Sequence, residues 1–382
     1  MKKLRVMKQT CAALSAGVLS LALASCGDKL ADDIAVEPSD WSEGVAATSA
    51  WVMAGIGTSG SVASDALHVA YSEDGLVWTT INSNESIFTP TIGSGHIRDP
   101  YIFRKNDGSF VLLAEDFTSD GQHYDFGAGE DTDYGNNPSN KIYVAFSDDL
   151  ITWNYEHLLQ VTSGEGTSGA TRHAWTPRAM YNKDDRCYDI YWTGDDYDGV
   201  NHTYVTKTYD FLTVKNLEEH TIFSPGHSVI DAYVVKDGST YYLFARDYRS
   251  DYLTTKVGGD IQCASLSTWG DGQFSIMGSS SSVSGSKSDY YINRGSSQST
   301  ELLESEPCVY QLESGTWIML VNEVNDNGAF KAYQTTTISD PTSWEETSSI
   351  TKFSDSTSYR TVGTSVTRVT ADELEALLYA DF

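Results

Sequence analysis

The chain is short of positive charge: 25 Lys and Arg stand against 53 Asp and Glu, a formal net charge of −28. With no basic face to displace counterions, nucleic acid is excluded as a partner. Cysteine is scarce as well, at 5 of 382 residues. Cys187, Cys263 and Cys308 form an odd set without metal-type spacing. They sit among strand-like residues and read as buried free thiols rather than as a disulfide framework. The apolar run from Ala12 to Ala24 is too short for a comfortable membrane-spanning helix. From about Trp51 to Phe382 no composition break marks a second domain.

What is present begins with an export pattern. Lys2, Lys3, Arg5 and Lys8 precede the short apolar run, which ends in Leu23-Ala24-Ser25-Cys26-Gly27. That order of charge, core and small residues predicts a bacterial lipoprotein signal peptide over 1–25, with Cys26 lipidated. Residues 26–48 read as a polar tether, and 49–382 as the folded domain. Losing 1–25 removes four cations and no anions, leaving −32, which favours solubility at a surface. The expected location is the cell envelope, periplasmic or at the cell surface. The only membrane contact would be the lipid, and the protein is expected to be a monomer.

Internal repetition sets the expected architecture. Leu67–Trp78 (LHVAYSEDGLVW) is an alternating strand, a Ser/Asp turn and a tryptophan; Ile142–Trp153 (IYVAFSDDLITW) repeats it, and Thr203–Val214 repeats it with valine last. A degenerate copy lies near Ile261–Phe274, and Ala332–Trp344 restores the pattern. Between these copies lie hairpins starting at Asp99, Trp175, Asp231 and Glu306, with turns such as Asp107-Gly108 and Asp237-Gly238. Interleaving the two units predicts an all-β, five-bladed β-propeller with four complete four-stranded blades. The fifth blade is split: strands around Trp51–Ile56 and Leu67–Tyr71 lack an inner partner, and Thr364–Val369 supplies it. A two-sheet sandwich does not account for the regular pairing. After that strand, Thr370-Ala371-Asp372-Glu373 is a capping box that opens a helix through Leu378. Two long segments, 118–140 and 278–300, read either as solvated loops or as walls of a cleft.

The entrances of the innermost strands carry the chemistry. They read Arg98-Asp99-Pro100, Trp175-Thr176-Pro177, Ile230-Asp231-Ala232 and Glu304-Ser305-Glu306-Pro307. In a propeller these positions converge on one mouth of the channel, so carboxylates from three blades and an aromatic from a fourth would share a pocket. His96 and His173 lie beside the entrances, where they could contact hydroxyls, but lone histidines are more often structural and neither is taken as a site residue. Arg294 is read as a solvated loop arginine or a hydroxyl contact.

These motifs, with SEDGLVWTTIN from Ser72, IRDPYIFRKNDGSFVLLAED from Ile97, HAWTPRAMY from His173, VIDAYVVKDGSTYYLF from Val229 and ESEPCVYQL from Glu304, resemble glycoside hydrolase family 43. The likeness is to its arabinofuranosidase- and xylosidase-like bacterial members and covers the whole mature domain in order. It implies an inverting glycosidase acting on arabinose- or xylose-containing oligosaccharides or polysaccharides. By this resemblance Asp99 matches the base that activates water, and Asp231 matches the carboxylate that tunes the acid. Trp175 matches an aromatic wall for a sugar ring. The acid is either Glu304 or Glu306, because Ser305 occupies the family's glutamate position and a one-residue bulge could turn either one inward. Glu304 is preferred, because Glu306 abuts Pro307.

The chain departs from the family at Arg178, where a carboxylate is usual, and at Arg360-Thr361-Val362-Gly363, where Arg-His-Gly is usual. No cofactor is required. A structural central-channel ion such as calcium is compatible with the family, although the missing histidine argues against it. The competing reading is a surface glycan-binding propeller with altered catalysis. A sialidase-like propeller is set aside, since Asp74-Gly75-Leu76 and Asp148-Asp149-Leu150 lack the Asp-box glycine spacing.

Overall fold

The computed structural model describes residues 50–59, 62–116, 139–162, 173–196, 199–215, 220–248, 261–270, 272–277, 292, 304–323, 330–348 and 360–382. The signal and tether, Cys26, Arg294 and nearly all of 118–140 and 278–300 lie outside the described residues.

The described strands form five four-stranded antiparallel sheets. β1 (Ala50–Ser59), β2 (Val62–Ser72) and β3 (Thr79–Thr80) open the first. β4 (Ile97–Arg104), β5 (Phe110–Asp116), β6 (Lys141–Ser147) and β7 (Asn154–Gln160) form the second. β8 (Trp175–Asn182), β9 (Cys187–Asp195), β10 (Asn201–Thr208) and β11 (His220–Phe223) form the third. β12 (Val229–Asp237), β13 (Thr240–Asp247), β14 (Ile261–Leu266) and β15 (Ser275–Ile276) form the fourth, and β16 (Glu304–Gln311), β17 (Trp317–Glu323), β18 (Phe330–Thr335) and β19 (Glu345–Glu346) the fifth. β20 (Arg360–Val369) returns to the first sheet and pairs with β1, from Ala50 opposite Val369 to Thr58 opposite Arg360. The inner strands β4, β8, β12, β16 and β20 pack each against the next, and β20 packs against β4. The ring is closed: this is a five-bladed propeller whose first blade joins both ends of the domain.

The repeated sequence recurs because one turn is built several times. Ser72, Ser147 and Thr208 accept through Oγ from the backbone N–H three residues on, at 2.9, 2.8 and 2.9 Å. Two residues after each, Asp74, Asp149 and Asp210 accept two further N–H groups through Oδ1. These side chains satisfy turn donors that no ladder reaches. The aromatics that close the repeat, Trp78, Trp153, Phe274 and Trp344, are buried. They fill the wedges between blades; Trp78 meets Tyr310 edge-on at 6.3 Å, and Trp344 meets Phe244 edge-on at 5.6 Å. Cys187, Cys263 and Cys308 are free and buried.

β20 is stitched to β4 as well as to β1. Ser365 Oγ donates to the Pro100 carbonyl at 2.9 Å, and the Thr367 hydroxyl donates to that of Ile102. Helix α1 (Ala371–Leu378) follows, opened by the Thr370/Glu373 capping box. Glu373 also holds Arg104 of β4 through two short charged hydrogen bonds at 2.5 and 2.7 Å.

Candidate active site

Each inner strand breaks register once near its entrance: between Arg98 and Tyr101, Trp175 and Arg178, Ile230 and Tyr233, Ser305 and Cys308, and opposite Ala54–Ile56 in β20. One left-handed residue sits in each break. These are Asp99 (φ 49°), Thr176 (48°), Asp231 (59°), Glu306 (52°) and Gly363 (65°). A left-handed non-glycine residue costs on the order of 1–3 kcal/mol, and a β-branched threonine there is a genuine outlier. Four such residues at matching positions are a repeated bulge that re-aims side chains at the ring's centre.

A hydrogen-bond network joins them. Thr176 Oγ1 lies 3.2 Å from Asp99 Oδ2 and 3.0 Å from Asp231 Oδ1. A hydroxyl has one hydrogen, so with both carboxylates charged Thr176 donates to one of them at a time. The Glu306 N–H donates to Asp231 Oδ2 at 3.2 Å, and the Asp231 N–H donates to Thr193 Oγ1 at 3.1 Å. Glu306 Oε2 accepts from the Gly363 N–H at 2.7 Å and from the Asn322 amide. A Cβ on Gly363 would stand 2.2 Å from Asp99 Oδ1 and 2.7 Å from Asp99 Cα. Only glycine lets β20 touch the Asp99 and Glu306 bulges at once.

The three carboxylates are nearly fully buried, which disfavours their charged forms, but their neighbours differ. Burial raises Asp99, against the opposing charges of Arg178 and Arg98 and the Thr176 hydroxyl. Burial, then the charge of Asp99, lifts Asp231 to about 6, with Arg246 opposing. For Glu306, burial and then Asp99 and Asp231 all push the carboxyl well above its usual range; the Gly363 N–H and Arg98 act against them. Cations thus favour charge on Asp99 while anions favour a proton on Glu306. This separation of environments is what pairs a base with an acid in one site.

Two residues after each bulge, Tyr101, Arg178, Tyr233 and Cys308 form the next layer of the channel. Tyr101 and Tyr233 meet edge-on at 6.4 Å, and the fully buried Arg178 guanidinium lies 5.2 and 5.6 Å from their rings. A central metal ion does not fit this donor set well, because the buried Arg178 guanidinium already stands behind the carboxylates and like charges repel strongly in a buried site. Among the described residues no group of three or more His, Cys, Asp or Glu side chains could hold a metal.

Of the residues singled out in the sequence, Asp99, Asp231 and Glu306 come together. Glu304 opens β16 opposite Glu323, and its side chain lies outside the described residues. Trp175 is buried beside Thr176, one indole face stacked on His173 with centroids 3.4 Å apart. His173 is held by Asn201 Oδ1 at 3.0 Å and Asp195 Oδ1 at 3.2 Å. His96 stands 3.6 Å from Asp65, away from the network. Sequence reasoning missed Thr176 and Asn322 as partners of the carboxylates and treated Arg178 and Gly363 only as family departures.

The family described as "probable glycosyl hydrolase domain" matches residues 48–375. An α-L-arabinofuranosidase of Bifidobacterium longum subsp. longum is 24% identical over 210 residues, 48% of this chain and 18% of that protein. The chain therefore spans less than a fifth of that curated relative. Among solved structures, the α-L-arabinanase of Cellvibrio cellulosa, complexed with arabinohexaose, is 13% identical with a TM-score of 0.47, covering 75% of this chain and 88% of that one. The xylan β-1,4-xylosidase of Bacillus halodurans is 14% identical with a TM-score of 0.47, covering 74% and 52%.

Proposed function

Because the chain belongs to the probable glycosyl hydrolase domain family, we propose that it cleaves O-glycosidic bonds with inversion, in glycans containing arabinose or xylose. The observation that carries the reading is the meeting of Asp99, Asp231 and Glu306, from three blades, in one buried network. In this reading Asp99 takes a proton from water as its oxygen bonds to the anomeric carbon. The bond from that carbon to the leaving oxygen breaks, and Glu306 gives that oxygen its proton. Asp231 touches no reacting atom; burial and the Asp99 charge do most to keep Glu306 protonated, the Asp231 charge adds to them, and its Oδ2 fixes the Glu306 bulge. Trp175, next to Thr176, is proposed as the wall for the sugar ring through the indole face that His173 does not cover. The Bifidobacterium arabinofuranosidase supports placing arabinose first. We place the enzyme in the envelope on a lipid at Cys26, a reading that rests on residues 1–26 and is tested by the mass of the mature N-terminus.

The function is tested with arabinan, xylan and arabinoxylan oligosaccharides and their aryl glycosides, with products separated by chromatography. Release of a pentose by the wild type and not by Asp99→Asn is the expected result. Tight glycan binding with no product from any substrate would favour the binding-propeller reading instead.

A further inference from the structure

Arg178 is fully buried, with its guanidinium beside the rings of Tyr101 and Tyr233. Its Nη1 donates to the carbonyl of Asp99 at 3.1 Å, across from β8 to β4, and to its own neighbour's carbonyl at Pro177, also at 3.1 Å. Nε and Nη2 are buried without an acceptor among the described residues. A guanidinium taken so far out of water is costly unless something repays it. The rings of Tyr101 and Tyr233 repay part through cation–π contact. The remaining compensation is the carboxylate layer immediately before it.

We infer that Arg178 is a positioning residue for Asp99: it ties the left-handed Asp99 bulge to the neighbouring blade through the Asp99 carbonyl and supplies a fixed positive charge in the layer behind the carboxylate. It reaches the Asp99 main chain rather than the carboxylate, whose Oδ2 is left to Thr176. It acts through Asp99 and touches no reacting atom. The charged and polar groups facing Asp99 are Arg98 on β4, Thr176 and Arg178 on β8, Asp231 on β12, Glu306 on β16 and the Gly363 backbone on β20. Two of these are cations, and Arg178 is the stronger influence on Asp99. Burial raises Asp99 and Arg178 lowers it, so removing Arg178 moves its titration to higher pH.

The test compares Arg178→Met and Arg178→Lys with the wild type, using protein carrying 13C-carboxyl aspartate and Asp99→Asn to assign the resonance. In Arg178→Met the Asp99 carboxyl should titrate about one pH unit or more above wild type. Arg178→Lys, which keeps the charge but not the fork, should recover most of that shift. The kinetic half rests on the glycosidase reading: the acidic limb of kcat/KM for an aryl glycoside should move up in step, with kcat falling more than KM changes. A folded Arg178→Met protein with unmoved Asp99 titration would overturn the proposal, and so would a lysine variant as shifted as the methionine one. If Arg178→Met does not fold, the lysine variant against Arg178→Gln decides on the same resonance. Absence of turnover in the wild type would defeat the glycosidase reading while leaving the titration to judge Arg178.

Discussion

Glu306→Gln is expected to lower kcat/KM on natural oligosaccharides by about 10²–10⁴-fold, the usual contribution of a positioned acid. On an aryl glycoside whose phenol leaves unassisted, the loss should be under about tenfold by the same reasoning. Glutamine keeps an oxygen to accept from the Gly363 N–H and the Asn322 amide, so the bulge should survive. Asp99→Asn should instead damage both substrate types, since the attacking water loses its base. The pH sign follows from the same carboxyl. Turnover needs Glu306 protonated, so the wild-type rate falls as pH rises through its raised value. That basic limb should vanish in Glu306→Gln on the activated substrate. Asp231→Asn removes one of the charges that raise Glu306, so the limb should move to lower pH. Glu304→Gln is the control. If it shows the selective loss and Glu306→Gln does not, the acid has been assigned to the wrong glutamate.

Deletion from Thr364 onward should abolish cooperative folding. It strips the inner partner from Ala50–Ala54 of β1 and leaves that edge open for pairing between chains. It removes the Ser365 and Thr367 bonds to β4 and both bonds from Arg104 to Glu373. Val369, Leu374 and Leu377 leave the core shared by the first two blades. At roughly 1.5–3 kcal/mol for each buried side chain, that loss alone is on the order of 5–9 kcal/mol. A whole domain typically has only about 5–15 kcal/mol in hand. Thermal denaturation and sedimentation should find aggregate or a chain without a melting transition. A truncated protein that melts like the full chain would refute closure by the two ends.

The propeller was legible because its repeats carry specific chemistry. A serine or threonine followed two residues later by aspartate is what the turn donors require, and the buried aromatic after it closes each wedge. The split blade was legible because Thr364–Val369 has strand character and no other partner; the strand itself runs further, from Arg360. The bulges were harder to read. A left-handed Asp, Thr or Glu leaves no signature of the kind glycine does, and a bulge was expected only at Glu304–Glu306, from the displaced glutamate of the family motif. The preference for Glu304 rested on Pro307, yet Asp99 and Thr176 also stand immediately before prolines, Pro100 and Pro177. A following proline disfavours right-handed helical backbone, so it accompanies this bulge rather than opposing it. Spacing carried the same message: the turn glycine Gly108 lies nine positions after Asp99, and Gly315 nine positions after Glu306. Arg178 could not be placed from sequence, because its role depends on a carbonyl in the neighbouring blade.

The configuration of the sugar at the moment of release bears most directly on the account. Asp99 activating water on one face while Glu306 protonates the leaving oxygen on the other requires a single displacement. Proton NMR of a cleaved aryl glycoside or oligosaccharide, recorded within the first minutes before mutarotation, should show the anomer opposite to that of the substrate. First appearance of the same anomer would mean a covalent glycosyl intermediate, and the assignment of Asp99 as a base acting on water would be wrong.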